Sequence, residues 1–239
     1  MKNYELNLFC GGNEISQNTP KPLKKFGDLT LLEIFIDFIS LKKIQKLNLI
    51  IEEKHLDKFI KLKNKINNKM INLIIVKNNC STLYKLSYSL KYLNRSNMQI
   101  FSYPDIFVDN LDFILSKANN EIKKKNNLHL ITTTKNKFRF PSIDLNFYSK
   151  EIRSLTLHDS VNHNTSPIFG GHYISNYNNI YKNINFYKNK GILELDYFNY
   201  LGKKKILKSI DISDFYWQNL DSNRDFLNIN NFIKSKIDK

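Results

Sequence analysis

At 239 residues, 41% hydrophobic and 13% aromatic, the chain has the length and apolar content for one large domain with a full core, and it is not a disordered polymer. The formal net charge of +15 points toward anionic partners, but it is carried by 33 Lys and only 4 Arg, beside 34 Asn and a single Ala. That bias is what an AT-rich genome imposes, so the charge is discounted as a sign of nucleic-acid binding. The lysines are scattered apart from short runs such as Lys123–Lys125 and Lys203–Lys205. No apolar run approaches the ~18–20 residues that span a bilayer, and no signal peptide is read ahead of the first strand. Cys10 and Cys80 belong to no metal-spaced cluster, so a reduced, cytoplasmic setting without a membrane is expected.

Tyr4 to Cys10 alternates and is apolar enough for a strand. Gly11-Gly12 ends it, a polar loop follows, and Pro20 and Pro22 are expected to hold Lys21 extended. Asp28 suits the N-cap of a helix whose apolar stripe is Leu31, Leu32, Ile34, Phe35, Phe38 and Ile39. Strand, glycine turn, pinned lysine and helix can form a phosphate cradle, because glycine lets backbone N–H groups approach oxyanions. A tight turn carrying a surface lysine is the plainer alternative.

Further on, 47–51 and 71–76 read as buried strands, with an amphipathic helix over 54–66 between them. Ser81 caps a helix reaching Leu93 along Leu83, Leu86, Leu90 and Leu93. Met98 to Tyr103 is the fourth strand, with Pro104-Asp105 at its carboxyl end, where ligands of open α/β sheets gather. An aspartate there can hold Mg²⁺ against a triphosphate, or simply cap the next turn. Strand-like pieces follow at 128–134, 143–147, 151–157 and 168–174. The last contains Gly170-Gly171, read either as a close ligand approach or as a bulge. A helix over 194–202, a strand over 206–211 and a helix after Ser222 complete the chain. Strands alternating with helices, without hairpin signals, predict a Rossmann-like α/β domain over 1–239. Its mainly parallel sheet would carry helices on both faces.

Several segments in this order resemble sugar-1-phosphate nucleotidyltransferases, a GT-A-like family, most of all its glucose-1-phosphate cytidylyltransferase branch. They are Gly11-Gly12 with Pro20-Lys21-Pro22, Tyr103-Pro104-Asp105, Arg139-Phe140-Pro141-Ser142-Ile143-Asp144-Leu145, Phe169-Gly170-Gly171-His172-Tyr173, and Tyr216-Trp217-Gln218 through Asp221 to Asp225. The resemblance implies attack of a sugar phosphate on the α-phosphorus of a nucleoside triphosphate, CTP favoured, with pyrophosphate leaving, for surface polysaccharide synthesis. Such chemistry asks for charge neutralisation and positioning rather than a covalent nucleophile. It implies Asp105 and Asp221 as Mg²⁺ ligands, Lys21 on phosphate, Gly11 and Gly12 beside the nucleotide, and Gly170 and Gly171 beside the sugar. Trp217 reads as a core aromatic. The pattern departs at Asn13–Thr19, which lack the family's arginine. It departs again at Leu157-His158-Asp159, which stand where the family has Glu-Lys-Pro. His158 is then either a protonatable replacement for the lysine or a plain loop histidine. A degenerate relative with a binding or scaffold role is the alternative to an enzyme. A homo-oligomer is left open.

Overall fold

The structure is a computed structural model and describes residues 3–11, 19–39, 43–66, 70–135, 142–146, 149–156, 167–184 and 191–237. Its frame is a mixed, mostly parallel sheet. β1 (Tyr4–Phe9) lies between β4 (Ile44–Glu52) and β6 (Met98–Ser102), parallel to both, and β5 (Ile71–Val76) extends β4 in parallel. Beyond β6 come β11 (Ile168–Asn176), β8 (His129–Thr134) and β12 (Leu207–Asp211). β11 runs antiparallel to both its neighbours, while β8 and β12 are parallel. The hairpin β9 (Ser142–Leu145) and β10 (Ile152–Thr156) attaches to the start of β11. The expected Rossmann-like α/β architecture is therefore present. The hairpins and the reversed β11 are features that hydrophobic pattern does not signal, since a buried strand looks alike in either direction.

Helices cover both faces. α1 (Leu31–Phe38), α2 (Leu56–Ile66), α4 (Leu111–Lys124) and α7 (Asn223–Ile237) pack on one side. α3 (Thr82–Ser89), α5 (Tyr177–Ile184) and α6 (Phe198–Lys203) pack on the other. The α1 cap is Thr30, not Asp28. Thr30 Oγ1 accepts from Glu33 N–H while the Glu33 carboxylate accepts from Thr30 N–H, so two orphan donors are satisfied at once. Asp28 instead sits in the turn between the short strands β2 (Lys25–Phe26) and β3 (Leu29–Thr30), beside Gly27 at φ +65. Ser81 does cap α3, whose last turn tightens into a 3₁₀ segment over Leu90–Tyr92.

The strands carry an unusual polar line. Asn7 Nδ2 donates to Gln99 Oε1 at 3.0 Å, Asn48 Nδ2 to Asn7 Oδ1 at 2.8 Å, and Asn72 Nδ2 to Asn48 Oδ1 at 3.1 Å. This amide ladder crosses β6, β1, β4 and β5, and Asn7, Asn48 and Gln99 are fully buried. A one-residue slip of any strand would break the ladder and strand its amides among apolar side chains, so it fixes register.

Two histidines are buried uncharged. Burial pushes His129 down to about 3 and His172 to about 4. His129 Nδ1 pairs with the Tyr173 hydroxyl at 2.7 Å, and Asn183 Nδ2 meets Nε2 at 3.2 Å. A base depressed in the folded state leaves the unfolded chain binding more protons between its two pKa values. Stability should therefore fall as pH drops from about 6.5 toward 4. Urea unfolding across that window should show a pH slope that is smaller by about one proton in His172→Asn than in the parent.

Candidate functional site

The carboxyl edge of the sheet gathers three side chains from distant segments. Lys21 leads a 3₁₀ turn, Lys21–Leu23, with the Leu23 N–H on the Pro20 carbonyl at 2.8 Å. The segment is thus helical rather than extended, because the fixed φ of Pro22 suits a first helical turn, and burying its ring anchors the loop. Asp105 follows β6, and Asp221 precedes α7.

What unites the two carboxylates is a two-stranded ribbon absent from the sequence reading. β7 (Ile106–Val108) pairs antiparallel with β13 (Trp217–Asn219), Ile106 opposite Asn219, and the Leu220 N–H bonds the Asp105 carbonyl at 2.8 Å. The residues flanking the ribbon are thereby placed side by side. Asn219 Nδ2 steadies Asp221 Oδ2 at 2.8 Å. Ser222 and Asp225 close a reciprocal cap at the start of α7, where Asp225 also accepts from the Asp221 N–H at 3.2 Å. The last aspartate of the C-terminal motif therefore holds the loop.

Lys21 Nζ bridges the pair, 2.5 Å from Asp105 Oδ2 and in direct contact with Asp221 Oδ1. Burial favours the neutral amine, yet Asp105 and Asp221 together outweigh it and hold the Lys21 ammonium above its ordinary pKa. Burial raises Asp105 above the usual carboxylate range, with Lys21 opposing and Asp221 adding to the rise. Two hard oxygen donors converging on one cation suit a Mg²⁺ ion that completes its shell with water and phosphate oxygens. Among the described residues no group of three or more acidic, histidine or cysteine side chains gathers as a ready-made metal cage.

Gly11 leaves β1 at the same edge. The Lys85 ammonium donates to its carbonyl at 2.6 Å and pairs with Glu52 at 2.9 Å, both side chains being buried. A Cβ on Gly11 would come within 2.9 Å of that nitrogen. Neither Glu52 nor Lys85 stands out in the sequence, because the ion pair joins the end of β4 to a helix face otherwise read as apolar. Gly12 and His158 lie outside the described residues, as do Arg139, Phe140 and Pro141.

Gly170 and Gly171 sit where β11 shifts register, so the bulge reading describes their backbone. Protein atoms take the space beside both: Thr132 and Ile212 at Gly170, Ile106 at Gly171. The Gly170 carbonyl accepts from the indole N–H of Trp217, which is buried in the core as expected.

No protein-family model matches the sequence, and no curated protein matches it. Solved structures do match. HddC from Yersinia pseudotuberculosis is 19% identical with a TM-score of 0.74, over 97% of this chain and 100% of that one. A putative glucose-1-phosphate thymidylyltransferase from Bacillus anthracis is 11% identical with a TM-score of 0.75, over 96% and 94%. A UDP-glucose pyrophosphorylase complexed with UDP-glucose is 10% identical with a TM-score of 0.72, over 99% and 100%. The fold is that of sugar-phosphate nucleotidyltransferases. The matching nucleotidyltransferases include an inositol-1-phosphate CTP transferase from T. maritima, and they do not single out the cytidylyltransferase branch. No helix among the described residues is long and apolar enough to cross a membrane.

Gly171 adopts φ +94, and a Cβ there would fall 2.2 Å from Ile106 Cδ1. Gly171→Ala should lower stability by about 2 kcal/mol or more in urea unfolding, from backbone strain and overpacking together. The clash also presses on the ribbon that carries Asp105. The double variant with Ile106→Val, which removes Cδ1 but keeps the γ carbon 2.9 Å away, should recover part of the packing loss and none of the backbone strain.

Proposed function

We propose that this protein transfers a nucleoside monophosphate from a nucleoside triphosphate to a sugar 1-phosphate or similar phosphate. An acceptor phosphate oxygen forms the new bond to the α-phosphorus as the bond to pyrophosphate breaks. The observation that supports this most is the convergence of Lys21, Asp105 and Asp221 at the carboxyl edge of a nucleotidyltransferase fold. A structure of HddC, 18% identical with a TM-score of 0.69, is complexed with GMP-PN, which supports a nucleotide as the ligand of a fold of this kind. CTP as the preferred nucleotide and a role in surface polysaccharide synthesis rest on the sequence resemblance, a cytoplasmic location rests on the cysteine usage, and all three belong to the same proposal.

Asp105 and Asp221 would hold Mg²⁺, which supplies neutralisation of phosphate charge when bound. Lys21, released from one carboxylate, turns its ammonium to a phosphate oxygen. Its position in a proline-braced turn limits the entropy lost in doing so. The Glu52–Lys85 pair holds the Gly11 carbonyl and so fixes the residue that follows the end of β1. The carboxylates and the lysine need no covalent intermediate, since positioning and charge stabilisation suffice for in-line transfer.

Titration calorimetry with CTP, UTP, GTP, ATP and dTTP in Mg²⁺ tests the reading directly, with binding of at least one expected. Asp105→Asn and Asp221→Asn should each abolish Mg²⁺-dependent binding or turnover while the circular dichroism stays that of the folded parent. A nucleotide complex with no metal near either carboxylate would reject the ligand assignment.

Lys21→Ala should weaken triphosphate affinity by roughly 1–3 kcal/mol, the range for charged hydrogen bonds. Lys63→Ala, at a half-buried lysine of α2, serves as the control and should change it little. Equal losses at both positions would mean that bulk charge alone attracts the nucleotide.

A further inference from the structure

One carboxylate at this edge has no part in the chemistry above. Glu194 is the second residue of a π-helical turn, Leu193–Tyr197, that leads into α6. Single π turns recur at functional sites because they re-aim a side chain out of the helical repeat. The start of this one is held by two hydrogen bonds. The Leu193 N–H donates to Thr82 Oγ1 in the first turn of α3 at 3.1 Å, and the Asp196 carboxylate accepts from the Ile192 N–H at 2.6 Å. From that support Glu194 reaches the end of β6, where the Tyr103 hydroxyl donates to its Oε1.

Tyr103 stands two residues before Asp105, and its ring packs on Phe9, the last residue of β1, with centroids 5.5 Å apart. The Tyr103–Glu194 pair therefore lies at the carboxyl ends of the two central strands, beside the Lys21–Asp105–Asp221 cluster. Both residues are only half-buried, although protein surrounds them closely. Burial raises Glu194 above the usual carboxylate range, while the Tyr103 hydroxyl and a backbone N–H oppose it. Burial, joined by the Glu194 charge, raises the Tyr103 phenol well above its ordinary value. Their partial exposure leaves the carboxylate and the phenol within reach of a ligand. Glu52, also at this edge, differs: it is buried and engaged by Lys85, Lys54 and the Asn79 N–H.

The chemistry of the pair selects its ligand. A carboxylate oxygen and a phenol oxygen offer acceptors, and among the described residues no cation pairs with Glu194, so a phosphate is repelled and an O–H donor is accepted. The neighbouring cluster offers the cationic end. A molecule bearing a phosphate at one end and hydroxyls at the other satisfies both. We propose that Glu194, positioned by Tyr103, accepts a hydrogen bond from a hydroxyl group of the phosphorylated sugar or polyol that receives the nucleotide. This rests on the reaction proposed above and adds the recognition of its acceptor.

The test uses the full chain, Mg²⁺, the nucleoside triphosphate it binds, and α-D-glucose 1-phosphate with its monodeoxy analogues as probes. Glu194→Gln and Tyr103→Phe should raise the acceptor KM by about tenfold or more while kcat and nucleotide affinity stay within twofold. One deoxy position should cost the parent that same factor and cost Glu194→Gln nothing further, which a merely structural role would not produce. The proposal is overturned if both variants keep the parent's acceptor KM, or if every deoxy analogue penalises parent and variant equally. If the parent turns over no nucleotide at all, the reaction reading fails separately. Equilibrium titration of the same sugar phosphates into parent and Glu194→Gln then decides the subsite, with equal affinities counting against it.

Discussion

Two carboxylates share one corner of this protein, and a single ammonium makes that arrangement tolerable. Without Lys21 between them, Asp105 and Asp221 would repel, and the more buried Asp105 would bind a proton to relieve the repulsion. Their approach is enforced by backbone, because the β7–β13 ribbon pairs Ile106 with Asn219 and leaves the aspartates nowhere else to go. The consequence is a site with a standing demand for positive charge. A divalent cation can take over that demand and free the lysine for a phosphate. The same constraint explains the supporting shell: the proline-braced turn, the amide of Asn219 and the Ser222–Asp225 cap each hold one member of the cluster still.

The sheet beneath is stabilised in two ways that act on different problems. Apolar side chains on both faces supply the burial that drives folding, with helices closing each side. The amide ladder through Gln99, Asn7, Asn48 and Asn72 adds little net free energy, since each bond replaces one to water, but it allows a single register. Register matters here because Gly11, Glu52 and Asp105 are placed at one edge by the strands that precede them. A chain rich in asparagine by composition has thus put some of it where an amide is structurally specific.

The edge divides into regions of different chemistry. Lys85 and Glu52 form a buried ion pair that holds the Gly11 carbonyl, a fixture of the framework. Lys21 with its aspartates is half-open and charged. Tyr103 and Glu194 form a hydrogen-bonded acceptor pair on the side of α6. A ligand with phosphate at one end and hydroxyl groups at the other is matched by that gradient from charged to polar.

Local pattern was enough to read the parallel frame from the sequence. Apolar runs of strand length alternating with amphipathic helices admit few other arrangements, and Ser81 marked the start of α3 through its own chemistry. Lys21 and Asp105 stand out in the sequence through the flanking prolines and a strand-end position, and Asp221 only through the resemblance; the structure brings the three side chains together. The α1 cap was misplaced by two residues, since Asp28 and Thr30 are both competent and only the reciprocal bond to Glu33 separates them. The reversed direction of β11, the ribbon that unites the two aspartates, the packing of Gly170 and Gly171 against the protein and the reach of Glu194 to Tyr103 were decided by tertiary structure alone. Each depends on partners about 30 to more than 100 residues apart. A sequence records the periodicity of one segment, whereas the pairing between segments is fixed only when the whole core closes.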